Sequence, residues 1–420
     1  MDDGLCTGCG TCAGVCPVDA VSMCVSDGLY LPEVADNCTH CGLCLKCCSG
    51  HSANLNELES TIFEGKPQDA VLGNCIGCYV GHSNDEGVLH DSTSGGVVTE
   101  LLVYALEKGI IDGALVVRMK KDAPLEPEPF IARTREEIVS ASKTMYCPVP
   151  MNVALRTILS EEGSFAVVGL PCHIYGVRKA EASLPLLRGR IVLHVGLFCS
   201  HTVSFSGTDC LLRKFGVGKD QVEKLDYRGK GWPSHMFIGL KGGRSLSVRF
   251  NRAWSAWWNV FSPLFFAPIR CIMCGNQFNE LSDVSFGDAW LPELRGSKIG
   301  ESVIVARKAS VDKLLVRMKR DAVISLRGVS PDKVKESQAF SLNFKKDNLP
   351  GRLAFLRMIG KKTPNIDSRP SFPASPGAFL SYLSHRVSSS KRIGSFLAYV
   401  PLPLFRLYFG LFKCAFLLSK

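Results

Sequence analysis

The chain has 420 residues, 46% of them hydrophobic, and a net charge of +10, a length that holds two or three domains with ample apolar core. Nineteen cysteines would suit a disulfide scaffold in a short secreted protein. Met1-Asp2-Asp3-Gly4 lacks the basic and apolar start of a signal peptide, so the thiols point to a reducing cytoplasm and to metal ligation. The basic balance raises nucleic acid, but no recognition motif accompanies it. Residues 1–50 carry six acids and one base, and from Arg369 onward seven bases and no acid lie among apolar residues, so no nucleic-acid partner is expected.

In chain order, the first feature is a pair of cysteine runs. Cys6, Cys9, Cys12 and Cys16 are spaced x2, x2, x3 with Pro17 following, and Cys38, Cys41, Cys44 and Cys48 repeat the spacing. This is the bacterial ferredoxin pattern, in which three thiolates of one run and the last of the other hold each 4Fe-4S cluster. One cluster then takes Cys6, Cys9, Cys12 and Cys48, the other Cys38, Cys41, Cys44 and Cys16. The alternatives are zinc sites or disulfides. Cys47 competes with its neighbour Cys48, Ser49 replaces the second proline, and Cys24 reads as a core thiol.

A polar linker is expected over 51–70, and from 71 apolar runs alternate with helical stretches. A helix ending at Lys108 before Gly109, strands over Ala114–Arg118, Phe165–Leu170 and Ile191–Phe198, and a helix over Met151–Leu159 argue for an α/β domain with parallel pairing. Asp91-Ser92-Thr93-Ser94-Gly95-Gly96 precedes an apolar helix, and hydroxyls with glycines at a helix start suit a cofactor phosphate; a plain N-cap is the alternative. Lys143 would add a cation. Tyr227-Arg228-Gly229-Lys230-Gly231-Trp232 suits an anionic or planar ligand, or is a surface turn. Cys172 and Cys199 close two apolar strands, at the sheet edge where α/β ligands bind. With Cys271 and Cys274 they would hold a third 4Fe-4S cluster, unless they are small buried residues. Cys75 and Cys78 form another pair, with Cys147 and Cys210 as candidate partners. A second linker is expected over 346–390, irregular and containing Pro370–Pro376. The tail over 391–420 is apolar and basic. Pro401 and Pro403 break it, and Arg406, Gly410 and Lys413 share one face after them, which suits contact with a membrane surface or packing on protein better than a span.

In this order the motifs resemble the beta-subunit family of coenzyme F-420 hydrogenases and dehydrogenases across about residues 1–330. The carriers are Tyr79-Val80-Gly81, Ser92–Gly96, Ser142-Lys143, Val168–Cys172, Gly196–Ser200, Tyr227–Trp232, and Cys271-x-x-Cys274 with Asp283–Trp290. The resemblance implies an α/β flavin-binding domain, with its N-terminal region over 71–160 and its C-terminal region over 161–345, behind a small α+β dicluster ferredoxin-like domain over 1–50. It implies FAD, a third cluster on Cys172, Cys199, Cys271 and Cys274, and hydride exchange with coenzyme F-420. Ser92, Thr93, Ser94, Gly95, Gly96, Lys143 and Lys230 become flavin or coenzyme contacts. His173 stands where the family often has glutamine; it would donate a proton near the flavin or start a helix. The expected protein is a cytoplasmic oxidoreductase working with a protein electron donor or acceptor, peripheral on the inner membrane face through its tail. The alternatives are a relay subunit with no substrate site, or an enzyme like those of polysaccharide synthesis or 7-hydroxymethyl chlorophyll a reduction.

Overall fold

A computed structural model describes residues 4–51, 55–63, 68–250, 255–366 and 375–417. Residues 52–54, 64–67 and 367–374 of the expected connecting segments lie outside the described residues, as do Met1–Asp3 and the last three tail residues.

Each N-terminal cysteine run bends through left-handed backbone. Gly8 and Gly10 have φ of 67° and 82°, and His40 and Gly42 repeat this at 53° and 75° in the second run. Glycine takes this conformation freely, and histidine is among the side chains that tolerate it. One-turn helices follow, Thr11–Gly14 and Leu43–Lys46, and an antiparallel hairpin of β1 (Val21–Ser26) and β2 (Leu29–Val34) joins the runs. Cys24, expected in a core, instead lies half-buried on β1 opposite Leu31.

The remaining strands are β3 (Gly77–Ser83), β4 (Gly113–Met119), β5 (Pro127–Ala132), β6 (Phe165–Gly169), β7 (Ile191–Leu197), β8 (Val222–Asp226), β9 (His235–Leu240), β10 (Ser245–Arg249), β11 (Val284–Asp288), β12 (Ser302–Ala306) and β13 (Ile324–Gly328). The last three of these, with β3 to β7, build an eight-stranded mixed sheet of order β13-β3-β12-β11-β7-β6-β4-β5, whose centre, β11-β7-β6-β4, is parallel. Strands β8 to β10 form a separate antiparallel sheet. One face of the large sheet is covered by helices Val97–Glu107 and Ala309–Arg320. The other is covered by Leu155–Ser160 and Pro171–Ser183. The strands expected from apolar runs are β4, β6 and β7, each within a residue or two of its expected bounds.

The ferredoxin-like unit docks on the second face. A Cβ added at Gly10 would lie 2.7 Å from the Pro150 carbonyl oxygen, and one at Gly14 would lie 2.0 Å from that of Asn152, so glycine is what lets these backbones touch. Within the segment expected as a linker, Leu55–Phe63 is a helix that seats Leu55, Leu58 and Ile62 against the same core. Beyond 340 the chain is helical rather than irregular. Leu349–Met358, Pro376–Ser389 and Leu402–Leu417 pack on one another, with Phe409, Phe412 and Phe416 buried against Leu264, Ile272 and Leu353. Among the described residues no single helix is long and apolar enough to cross a membrane; only the pair Lys391–Tyr399 and Leu402–Leu417, bent by 114°, passes on length and composition.

Beneath the parallel strands lies a buried charge network. His194 on β7 faces Asp283 through Nδ1 at 3.1 Å and Glu181 through Nε2 at 2.9 Å. Arg178 donates to Asp283 at 2.6 Å and to Glu181 at 3.2 Å, and Lys308 reaches Asp283 at 2.9 Å. Burial works to raise both carboxyls, but His194 and Arg178 outweigh it and hold them below their ordinary range. A depressed carboxyl stabilises the fold fully above its unfolded value near pH 4 and loses that contribution as pH falls further. We expect Asp283→Asn to lower stability by about 3–5 kcal/mol and to flatten the acid limb of a thermal-unfolding series below about pH 4.

Candidate functional site

Two cysteine sets lie in the N-terminal unit. Burial pushes the Cys6 and Cys12 thiols up to about 11 and about 12, and the charges of Cys9 and Cys48 add to it in both cases. The four sulfurs of the crossed assignment therefore act on one another. Cys47 is fully buried and turned away, its sulfur directed at the Lys179 carbonyl, so it does not compete with Cys48, whose sulfur accepts from Gly50 N–H at 3.4 Å. In the second set burial raises the Cys44 thiol, with Cys41 and Cys38 contributing, and Cys16 accepts from Ala20 N–H at 3.2 Å. Cys9 is buried and Cys41 exposed, so the first set faces the protein and the second faces solvent.

A third set forms at the carboxyl edge of the sheet. Strands β6 and β7 pair in parallel with Gly169 opposite Gly196. Asn279 donates to Gly169 O at 2.8 Å and Leu197 O at 3.3 Å, tying the strand ends together just before Cys172 and Cys199. Desolvation raises Cys172 well above the ordinary thiol range, followed by the charges of Cys9, Cys199, Cys271 and Cys274. Burial raises Cys199 to about 12, again with Cys271 and Cys274 contributing. Each of these four cysteines keeps some accessible surface despite this desolvation, which leaves room beside the set. Around it Arg270 Nε, Arg352 guanidinium nitrogen, Gln277 Oε1 and Asn276 Oδ1 are buried without a hydrogen-bond partner. The two orphaned arginine nitrogens among them are donors, which beside these thiols suits a cluster whose iron takes the thiolates and whose sulfides accept hydrogen bonds. Cys9 is the link back to the first set: Asn152 donates to both Thr11 Oγ1 at 2.8 Å and His173 O at 2.9 Å, spanning the two environments.

Cys199 also lines a cavity of about 1090 Å³. Ser92, Thr93, Ser94, Gly96, Lys143 and His173 are on its wall, with Trp257, Trp258 and Trp290. The loop hydroxyls are already engaged. Ser92 donates to Val88 O at 2.6 Å, Thr93 accepts from Thr144 N–H at 2.8 Å, and Ser94 pairs with Ser302 at 3.1 Å. What faces the cavity is the start of helix Val97–Glu107, capped by Gly96 at φ 72° with no side-chain cap. Its anion-binding capacity is that of backbone N–H groups. Gly95 is absent from the wall; it packs where a Cβ would sit 2.5 Å from Gly81 O. Lys143 bonds Asp226 at 3.1 Å. Lys230 leaves the cavity and covers the Phe237 ring at 3.8 Å.

Arg228, two residues before Lys230, turns inward and is 2% exposed. It donates to Asp288 at 2.6 Å, Ser234 at 2.9 Å, Thr93 O at 3.0 Å and Tyr146 OH at 3.2 Å, joining four segments of the wall. Composition gives no sign of its side, because positive φ at Lys230 and Gly231 sends the lysine outward. His173 has both ring nitrogens occupied. Nδ1 accepts from Leu170 N–H at 3.2 Å, so Nε2 carries the hydrogen bonded to Val149 O at 3.1 Å, and burial lowers it to about 4. Cys75 and Cys78 stand 3.2 Å apart in a different apolar cluster from Cys147 and Cys210, so these four are not brought together. We expect Arg228→Met to cost about 3–5 kcal/mol by leaving Asp288 without its cation, read as a lower melting temperature that Arg228→Lys partly restores.

Residues 78–156 and 163–332 match, in turn, the amino-terminal and carboxy-terminal regions described for the beta subunit of coenzyme F420 hydrogenase/dehydrogenase, and residues 1–22 match a 4Fe-4S binding domain. The coenzyme F-420 hydrogenase beta polypeptide of Methanothermobacter thermautotrophicus is 26% identical over 70% of this chain and 99% of its own length. The coenzyme F-420-dependent sulfite reductase of Methanocaldococcus jannaschii is 26% identical over 83% of this chain and 50% of its own. A chain of the F-420-reducing NiFe hydrogenase complex of Methanosarcina barkeri shares the fold, with TM-score 0.55 and 24% identity over 71% of this chain and 99% of that one. The ordered motifs, the mixed sheet and these matches together make this chain a member of the coenzyme F-420 hydrogenase/dehydrogenase beta-subunit family, carrying a 4Fe-4S domain at its N-terminus.

Proposed function

We propose that the chain is an FAD- and iron–sulfur-dependent oxidoreductase subunit that moves single electrons between a partner protein and a flavin, and hydride between that flavin and coenzyme F-420 or another organic acceptor. One observation carries the reading: the succession from exposed Cys41 through buried Cys9 and half-buried Cys172 to Cys199 on the cavity wall. Bound FAD would supply the conversion between one-electron and two-electron chemistry. The N–H groups at the start of helix Val97–Glu107 would hold its anionic part. Trp257 Nε1 and Gln277 Oε1, both on the wall and both lacking a partner, would meet a polar ring edge. Lys143 and Arg228 are held on the wall by Asp226 and Asp288. Hydride transfer needs alignment more than a strong base, and His173, neutral at physiological pH, would fix the turn after β6 rather than pass a proton.

Electrons would enter at Cys38, Cys41, Cys44 and Cys16. The unit that carries exposed Cys41 also exposes Val18, Val34 and Leu45 and is acidic, which suits a partner surface with apolar and basic residues. The rival, a relay subunit with no substrate site, is disfavoured by the size and polar fittings of the cavity. Anaerobically purified chain is expected to carry about twelve irons and to release FAD on denaturation. Iron without flavin would support the relay, and zinc or a colourless protein would end the redox reading. Cys41→Ser is expected to slow reduction of the flavin by a reduced ferredoxin at least tenfold while leaving its reduction by deazaflavin hydride unchanged.

We also propose a peripheral place on an anionic, cytoplasm-facing membrane surface. Helix Leu402–Leu417 leaves Leu404, Leu407 and Leu411 more than half exposed with Arg406 and Lys413 beside them, and the segment from Arg369 has no acid. Co-sedimentation with vesicles rich in phosphatidylserine is expected, with loss in Leu407→Glu/Leu411→Glu. Absence of wild-type binding would overturn it.

A further inference from the structure

Beyond residue 332, where the family match stops, the chain turns back over the third cysteine set. A π-helical turn, Asn343–Asp347, carries Lys345, which is 1% exposed. Its carbonyl would lie 3.4 Å from a Cβ at Gly275, next to Cys274. Arg352, fully buried, donates from Nε to Ile272 O at 2.8 Å and stacks over Phe344 at 3.8 Å, with one guanidinium nitrogen lacking an acceptor. Arg270, adjacent to Cys271, donates to Met273 O at 3.5 Å and has Nε without an acceptor. Three cations thus close on one sulfur-lined space. The N-terminal sets, by contrast, lie in a segment with six acids and one base.

Burying a cation is costly unless a negative charge faces it, and a thiolate-held cluster on these cysteines would supply that charge to the buried Lys345, Arg352 and Arg270. Each electron added to a thiolate-ligated cluster adds negative charge, so nearby cations favour the reduced form. We propose that Lys345, supported by Arg352 and Arg270, sets the reduction potential of a cluster on Cys172, Cys199, Cys271 and Cys274 and holds it above that of the N-terminal pair. One electron leaves a cluster of that pair and one reduces the third, with no bond made or broken and no proton taken up. The segment after residue 332 therefore gives the path its downhill direction toward the cavity. This rests on the three-cluster reading above.

The test is a mediated redox titration of full-length, anaerobically reconstituted protein, followed by electron paramagnetic resonance. Lys345→Met is expected to shift one cluster at least tenfold toward the oxidised form at a fixed potential, which is about 59 mV downward for one electron. The other two should not move, and Lys345→Arg should shift less than threefold. If Lys345→Met sheds iron, Lys345→Gln takes its place in the same titration. Unshifted potentials with iron retained would overturn the role of Lys345. A wild-type chain with only about eight irons would instead remove the third cluster itself, and the inference with it.

Discussion

Four sulfurs enclosed together, away from water, cannot all ionise against one another; only positive charge at their centre lets them. With clusters bound as proposed above, that constraint would organise this molecule. It would explain why the N-terminal turns adopt left-handed backbone, why β6 and β7 end side by side, and why Asn279 ties them. It would also explain why otherwise unsatisfied arginine donors are tolerated in the interior. The α/β sheet supplies rigidity to this arrangement, because residues at the ends of paired parallel strands have little freedom to separate.

The positions of the three sets follow from different parts of the chain's physics. The N-terminal sets are local: spacing of two and three residues is enough to turn thiols toward one another. The third set is assembled across a hundred residues by strand pairing and by the short helix Ile269–Ile272. Two of the three cations beside it, Lys345 and Arg352, come from further still, through helices that follow the last strand. The buried network of His194, Glu181, Asp283 and Arg178 locks β7, β11 and the Pro171–Ser183 helix together just below that edge, so positional error at the sulfurs is small.

Spacing makes the N-terminal 4Fe-4S domain legible, because a metal cluster imposes a covalent period that no folding detail can disguise. Apolar runs likewise reveal β4, β6, β7 and the helix Val97–Glu107, within a residue of its expected end. The cavity contacts are only half legible. Three hydroxyls that read as ligands are consumed by the protein's own backbone and side chains. In the Tyr227–Trp232 loop the inward cation is Arg228 and not Lys230, since which residue faces inward depends on turn geometry rather than composition. The region after residue 340 reads as irregular because its proline and serine content resembles a linker, while its phenylalanines at helical spacing carry the packing. Lys345 has no signal at all: a lysine beside another lysine in a polar stretch gives no hint that it is enclosed.

The seam between the ferredoxin-like unit and the sheet domain has a consequence for how such proteins diversify. Because main chain meets main chain at Gly10 and Gly14, with no room for even a methyl group, the ferredoxin-like unit is seated as a fitted part and does not swing on a tether. Swapping in a foreign iron–sulfur module would succeed only if the newcomer were equally bare at both places. Exchange of redox partners in this lineage is thus easier by repainting the solvent-facing side of the existing module than by replacing it.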